Sequence, residues 1–434
     1  MSVQVALYWA ILVAAFAGLY WLARGGKTLL WQRVMIALVG GVVVGFVFGD
    51  LAISSKWIGD IFVRLIRMIV VPLIFTTIVA GVISMGDPKR LGGIGAKAIG
   101  LYMLTTLGAI IVGLTFGVLF EPGAGVDISG AVPKTLAEAP PIGERLLNIV
   151  PENPFAALAN GDVLSIIFFS LFLGVAIVLA GEKTRPLSDA IEAAAETVLK
   201  LATIVMEFAP YGVFALVAWV AGTLGIDALR QLFVLTLVVY GACVVHMILV
   251  YGGLIRGVLG LPLVRFFRGI LDAQAVAYST SSSSATLPVT INCVERNLGV
   301  KNTVASSVLP LGSTINMDGT ALYQGIIATF AAQVFGIDLV FTDYLLIALT
   351  VTLVSIGTAG VPSASLFLAA TVLSTFGVTD AQTALIVGFI LPFDRILDMA
   401  RTVVNITGDA AVAVTVAKSE GELDEESFRS VAVI

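Results

Sequence analysis

Charge, histidine and cysteine are all scarce in this sequence. Only 12% of its 434 residues are Asp, Glu, Lys or Arg, while 58% are hydrophobic. A soluble globular domain carries about 25% charge, so that class is excluded. In hydrocarbon each centrally placed charge costs roughly 2.5–3.5 kcal/mol on insertion scales, which accounts for the depletion. The net charge of −5 is spread between loops and tail, and no basic stripe exists to bind nucleic acid. The two cysteines, Cys243 and Cys293, form no CxxC pair and no Cys/His ligand spacing, and read as small buried hydrophobes. The single histidine, His246, has no companion for a metal site or a nucleophile–base pair and reads as a satisfied core residue. Serine hydrolysis is disfavoured for the same reason, because the run Ser281–Ser284 has no base nearby.

What the sequence does contain is apolar stretches of spanning length, about 20 residues. They are predicted at 5–23, 33–50, 60–85, 97–120, 164–181, 199–222 and 228–255. Basic residues cluster after the first (Arg24, Lys27, Arg33), the third (Lys89, Arg90, Lys97) and the seventh (Arg256, Arg265, Arg268), and again at Arg296 and Lys301. The segment 121–163 is acidic instead, with six carboxylates against Lys134 and Arg145. Positive loops stay cytoplasmic, so these loops are expected inside and 121–163 outside. The charges of 5–23 follow its apolar core rather than precede it, which favours an uncleaved helix over a signal peptide.

From about 260 to 417 the apolar stretches are interrupted by polar and small residues. Irregular backbone at membrane depth is tolerated only where it lines a cavity or is buried in protein. Thr280-Ser-Ser-Ser-Ser-Ala-Thr-Leu-Pro288 and Ser355-Ile-Gly-Thr-Ala-Gly-Val-Pro362 both close on a proline. Each precedes a helix-length stretch with an Asn and an Asp: Asn316 and Asp318, then Asn405 and Asp409. A hairpin–helix unit used twice is the sequence pointer to a transporter binding site.

Asp394, Asp398, Arg401, Asn405 and Asp409 follow at steps of 4, 3, 4 and 4, one stripe of a helix with Thr402 beside it. A neutralising Asp398–Arg401 pair accounts for two of these charges but not for the further acids, Asn405 and the polar hairpins. Arg401 offers a planar fork for a carboxylate, and an Asp one turn away suits an ammonium group. Together they suit a zwitterion with an extra carboxylate. Ser- and Gly-rich tips offer backbone N–H groups for the second carboxylate. Asn316, Asp318, Asn405 and Asp409 supply oxygen ligands suited to a hard cation. Tyr102, Thr105 and Thr106 add hydroxyls on one face of 97–120, read by spacing alone as helix-packing groups.

At these residues the chain resembles the glutamate-transporter family, the dicarboxylate/amino acid:cation symporters. Ser281-Ser-Ser-Ser284, Asn316-Met-Asp-Gly-Thr320, Gly357-Thr-Ala-Gly-Val-Pro362, Asp398-Met-Ala-Arg-Thr402 and Asn405-Ile-Thr-Gly-Asp409 carry the resemblance, which spans about 31 to 420. It implies an all-α integral membrane protein of the inner (plasma) membrane, with eight transmembrane helices and two re-entrant hairpins at about 264–294 and 344–374. These form inverted repeats, and the first hairpin would gate from the cytoplasm, the second from outside. It also implies a homotrimer in which residues 31–255 are mostly scaffold, 256–418 move as a transport domain in an elevator motion, and 419–434 form a cytoplasmic tail. Helices 97–120 and 228–255 would belong to or flank the moving part. Residues 1–30 would be an extra N-terminal helix for which the resemblance does not account.

By the same resemblance Asp398 binds the substrate amino group and Arg401 the side-chain carboxylate. Thr320, Thr402 and Asn405 are further contacts, and Asp394, on the same stripe, is counted with them as substrate-binding. Ser282 and Ser283, with the backbone at Gly360 and Val361, cradle the α-carboxylate. One Na⁺ site maps onto Gly312, Asn316, Asn405 and Asp409, and a second onto Thr314, Ser355, Ile356 and Thr358. A third maps onto Tyr102, Thr105, Thr106, Asn316 and Asp318. No organic cofactor is implied. Some members carry an arginine at the position of Ser281 or Met399; here Arg395 either takes over that charge or pairs with Asp394. Gln324 stands where animal members carry a proton-carrying glutamate, so proton coupling through it is not expected.

The expected function is Na⁺-coupled import of aspartate or glutamate. A proton-coupled symporter, a C4-dicarboxylate carrier and an anion channel are the alternatives, and a neutral amino-acid carrier is disfavoured by Arg401. Arg401→Cys is expected to abolish uptake of labelled aspartate while admitting neutral amino acids; unchanged aspartate transport would refute the role of the guanidinium.

Overall fold

Apolar runs without interruption form long helices, and the polar interruptions fall where helices break. The computed structural model describes residues 3–24, 28–85, 88–126, 143, 147, 149–356 and 364–430. Among them secondary structure is helical, with no strand beyond one isolated antiparallel bridge, Val300–Leu423. Among the described residues five segments are long and apolar enough to cross a membrane, including Val3–Arg24, Gly93–Phe120 and Gly225–Val258.

Helix α1 (Val3–Arg24) forms where 5–23 was expected. It packs on α2 (Leu30–Phe48) through Tyr8, Leu12 and Leu19, and the Tyr8 hydroxyl hydrogen-bonds Ser55 in the 3-10 turn Gly49–Ser55. Helices α3 (Lys56–Met85), α4 (Pro88–Phe120), α5 (Pro154–Asn160) and α6 (Val163–Ala180) follow. The span expected at 199–222 is broken. Helix α7 (Arg185–Met206) ends there and α8 (Ala209–Thr223) begins. Pro210 lacks an N–H and suits a first helical turn, while Glu207 in the gap takes an ion pair from the buried Arg33 at 2.9 Å.

Helix α9 (Gly225–His246) continues as two π-helical stretches, Met247–Tyr251 and Gly253–Val258. Two short helices, α10 (Leu263–Gly269) and α11 (Leu271–Thr280), lead to a tip at Ser281 and back through α12 (Ser283–Arg296). Helix α13 (Asn302–Ile315) is separated from α14 (Asp318–Phe335) by an unwound break at Asn316 and Met317. A second pair, α15 (Phe341–Ile356) and α16 (Ala364–Ser374), flanks residues 357–363, so Gly360 and Val361 lie outside the described residues. The 41-residue α17 (Asp380–Glu420) starts from a Thr379/Gln382 capping box and ends at Gly421 in the left-handed conformation.

Packing divides the helices into two groups. In one, α2 lies on α8, and α3 on α6, α7 and α8. In the other, α17 is surrounded by α9 and α11 to α14, with α4 laid along α14. Every residue of α14 except Gln333 is buried, as a central helix requires.

The far end of α17 is fastened. Lys97 at the start of α4 pairs with Glu420 at 2.5 Å, Lys301 with Glu422 at 2.8 Å, and Lys418 with Glu425 at 2.8 Å. Lys301 N donates to Glu422 O and Asp424 N to Gly299 O, and Lys418 Nζ donates to the Leu259 carbonyl. Helix α18 (Glu425–Ser430) then seats Phe428 in the core with no exposed surface. The N-terminal part of α4 and the loops around 259 and 300 thus meet the tail at one end of the bundle. Burying a phenylalanine of this kind stabilises by about 3–5 kcal/mol relative to alanine. Phe428→Ala is therefore expected to raise the open population of the tail on the order of a hundredfold, read as faster tryptic cleavage at Lys418; unchanged cleavage would show that Phe428 does not hold the tail.

Candidate functional site

The stripe on α17 faces inward, and all its members are buried. Arg401 is its centre. Its Nη2 donates to Asp398 Oδ1 at 2.7 Å and its Nη1 to Asp394 Oδ1 at 3.0 Å, while Nε has no partner among the described residues. The guanidinium also lies 3.8 Å from the centroid of the Tyr323 ring, close enough for a cation–π contact. The neutralising pair weighed for Asp398 and Arg401 is therefore formed, but it is shared with Asp394. Asp394 in turn accepts from the Tyr323 hydroxyl at 2.8 Å, so it stands behind Arg401 rather than beside it.

Below this, Asn405 Oδ1 accepts from the Gly319 amide at 2.8 Å. That contact requires α14 to begin directly against α17: a Cβ at Gly319 would overlap the Arg401 carbonyl. Thr320 is buried in the same first turn of α14, and Thr402 donates to the Asp398 carbonyl one turn earlier on α17. At the first tip Ser281 adopts the left-handed conformation with φ 54°. Ser282 caps α12 by accepting from the Ala285 amide, and Ser283 is buried.

Arg395 is buried, its Nη2 donates to the Thr280 carbonyl at the first tip at 3.2 Å, and Nε and Nη1 have no partner among the described residues. Asp394 is engaged by Arg401 and Tyr323, and among the described residues no ion pair joins it to Arg395. Gln324 is buried, with Nε2 donating to the Ser365 carbonyl.

The residues expected to hold cations meet around the break at Asn316. Its amide donates to Asp409 Oδ1 at 2.9 Å and to the Asn405 carbonyl at 3.1 Å. Gly312 lies against Asp409 and Tyr102. Thr105 faces Asn316 Oδ1 at 3.4 Å, Thr106 donates to Asp318 Oδ1 at 2.7 Å, and Tyr102 donates to the Val308 carbonyl. The three hydroxyls are thus more than helix packing, because two of them meet the amide and the carboxylate. These are oxygen donors throughout, the set a hard cation takes. Of the remaining set, Ser355 is buried and Thr314 donates to the Leu311 carbonyl, while Thr358 and the Ile356 side chain lie outside the described residues.

Three residues near the site carry no assignment from the sequence. Tyr323 follows Thr320 by three, the spacing of one helix face, and could have been read from it. Tyr251 donates to Asp318 Oδ2 at 2.8 Å from the π-helical stretch, where α-helical spacing gives no signal. His246 is a buried core residue as expected, yet it is not satisfied: neither ring nitrogen has a hydrogen-bond partner. Cys243 and Cys293 are buried and free.

Residues 30–419 match the profile of the sodium:dicarboxylate symporter family. The chain is 38% identical over 410 residues to the proton/sodium-glutamate symport protein of Geobacillus stearothermophilus, covering 92% of this chain and 96% of that one. It is 36% identical to the proton/glutamate-aspartate symporter of Escherichia coli over 92% of this chain and 94% of that one. It is 34% identical to the C4-dicarboxylate transport protein of Agrobacterium fabrum over 93% and 90%. The match begins after α1.

Removing one partner of a buried ion pair costs about 3–5 kcal/mol, whereas losing one hydrogen bond to a charged group costs about 1.5–3 kcal/mol. Asp394→Ala is therefore expected to destabilise the protein more than Tyr323→Phe, measured by thermal unfolding in detergent. The reverse order would mean that Asp394 does not hold the guanidinium.

Proposed function

The chain belongs to the sodium:dicarboxylate symporter family, and from that premise we propose that it imports aspartate or glutamate together with Na⁺. It is a multi-pass membrane symporter of the dicarboxylate and acidic amino acid class, not an enzyme.

The observation that carries the proposal is the buried charge. Asp318, Asp394, Asp398 and Asp409 face Arg395 and Arg401, four carboxylates against two guanidinium groups. An acidic substrate adds to that excess of negative charge, so cations entering with it restore the balance. The charge pattern also favours a zwitterion. A carboxylate replaces one aspartate on Arg401, and an ammonium group occupies the aspartate released. A C4-dicarboxylate offers nothing to Asp398, although a relative named for that substrate is 34% identical.

In this reading Arg401 grips the side-chain carboxylate, Asp398 the ammonium, and Asp394 with Tyr323 keeps the guanidinium in place. Thr320, Thr402 and Asn405 make further contacts. Ser282 and Ser283 at the start of α12, with Gly360 and Val361, hold the α-carboxylate, since first-turn N–H groups favour an anion. Na⁺ is carried at Gly312, Asn316, Asn405 and Asp409; at Thr314, Ser355, Ile356 and Thr358; and at Tyr102, Thr105, Thr106, Asn316 and Asp318. Residues 256–418 move as the transport domain against a trimeric scaffold, in an elevator motion. A proton-coupled variant of the same symport is the second reading, favoured by relatives named for both ions or for the proton alone.

Proteoliposomes under separately imposed Na⁺ and H⁺ gradients decide between them. Labelled aspartate or glutamate is expected to accumulate on an inward Na⁺ gradient and to resist competition by succinate. Uptake driven by H⁺ and indifferent to Na⁺ would overturn the Na⁺ assignment, and equal competition by succinate would overturn the zwitterion.

A further inference from the structure

His246 is wholly buried at the end of α9, and among the described residues neither ring nitrogen has a hydrogen-bond partner. A buried polar group without a partner calls for an explanation. Its Nε2 lies 3.5 Å from Asp318 Oδ2, a few tenths of an ångström beyond a good N–H···O bond. Its ring meets that of Tyr251 edge-on, centroids 4.7 Å apart at 84°. The Tyr251 hydroxyl donates to the same Oδ2 and also faces the Val404 carbonyl.

His246 and Tyr251 are five residues apart. In an α-helix such residues point about 140° apart, whereas a π-turn, closed by i→i+5 contacts, brings them to nearly the same side. The helix is π-helical at Met247–Tyr251, between the two. The irregularity thus aims both side chains at one carboxylate oxygen. Gly408 makes room for this approach, since a Cβ there would lie 2.6 Å from the Tyr251 hydroxyl. The other oxygen, Oδ1, faces α4 and accepts from Thr106. Asp318 is therefore divided: Oδ1 belongs to the oxygen cluster of Thr105, Thr106 and Asn316, and Oδ2 to the residues of the π-turn.

We propose that His246 is a positioning residue for Asp318. It donates its Nε2 hydrogen to Oδ2, beside Tyr251, and so fixes the rotation of the carboxylate that presents Oδ1 to a coupling cation. The inference rests on the cation reading of this cluster. Its consequence is that the affinity and size selectivity of the cation are tuned from a helix that contributes no ligand. Residues that orient a metal ligand in this way typically change affinity 10–100-fold when lost.

The test uses the purified full-length transporter in detergent, with Na⁺ and Li⁺ titrated without substrate and binding read from the rise in unfolding midpoint. His246→Phe keeps a ring and loses the donor. It is expected to raise the half-saturating Na⁺ concentration about tenfold or more and to change the Na⁺/Li⁺ ratio. His246→Gln retains an N–H donor and is expected to restore most of the affinity. Tyr251→Phe removes the other donor to Oδ2, and its effect combined with His246→Phe is expected to fall short of the product of the two. Wild-type Na⁺ binding in His246→Phe would overturn the proposal, as would strict independence from Tyr251→Phe. If His246→Phe does not fold, Gln with wild-type binding and Leu with weakened binding support it, and equal binding by those two overturns it. A wild-type midpoint indifferent to Na⁺ overturns the cation reading itself, and this inference with it.

Discussion

Arg401 holds two aspartates at once, and the rest of the core is arranged around that fact. A guanidinium buried this deeply is tolerated only when its charge and its N–H groups are met. Asp394 and Asp398 meet the charge, and the Tyr323 ring covers one face. The arrangement leaves Nε without a partner among the described residues. In the proposed function a substrate carboxylate would replace one of the two aspartates without baring the cation. Everything that must pack tightly nearby follows. Helix α14 begins at Asp318 because the chain unwinds at Asn316 and Met317, and it approaches α17 through a residue with no side chain.

The same unwound break serves the cluster below. An α-helix spends its carbonyls and amides on itself, whereas Asn316 in the break turns its side chain toward Asp409, Asn405 and Thr105. The Arg401 stripe and the cluster around Asn316 therefore share Asn405, whose side chain contacts α14 and whose carbonyl meets Asn316. In the proposed function, coupling between substrate and cation would need no long path through the protein, since one residue touches both clusters.

Much of this was legible because helices repeat. The steps of 4, 3, 4 and 4 along α17 placed five polar residues on one face, and the structure buries all of them together. The first proline-closed run marked the tip at Ser281, while the second lies outside the described residues. Other features were less accessible. The break before Pro210 was missed because an apolar run on both sides masked it, while the Arg33–Glu207 pair that fills it joins residues 174 apart. Tyr251 and His246 fall on one side only because the helix is π-helical there, and periodicity read at 3.6 residues separates them. For Arg395 the sequence left open whether it takes over a charge that other members carry elsewhere or pairs with Asp394. Sequence spacing does not show that Tyr323, from another helix, already engages Asp394.

The fastened tail has a mechanical meaning. Two backbone hydrogen bonds, the Lys301–Glu422 ion pair and the buried Phe428 tie the end of α17 to the open end of the first hairpin, where α12 leads into α13. A beam clamped at its base deflects most at its free tip. For this hairpin the far end is Ser281 and Ser282, next to Thr280, whose carbonyl accepts from Arg395. That hydrogen bond would have to give before the tip could move away from α17, while the clamped root would stay with it.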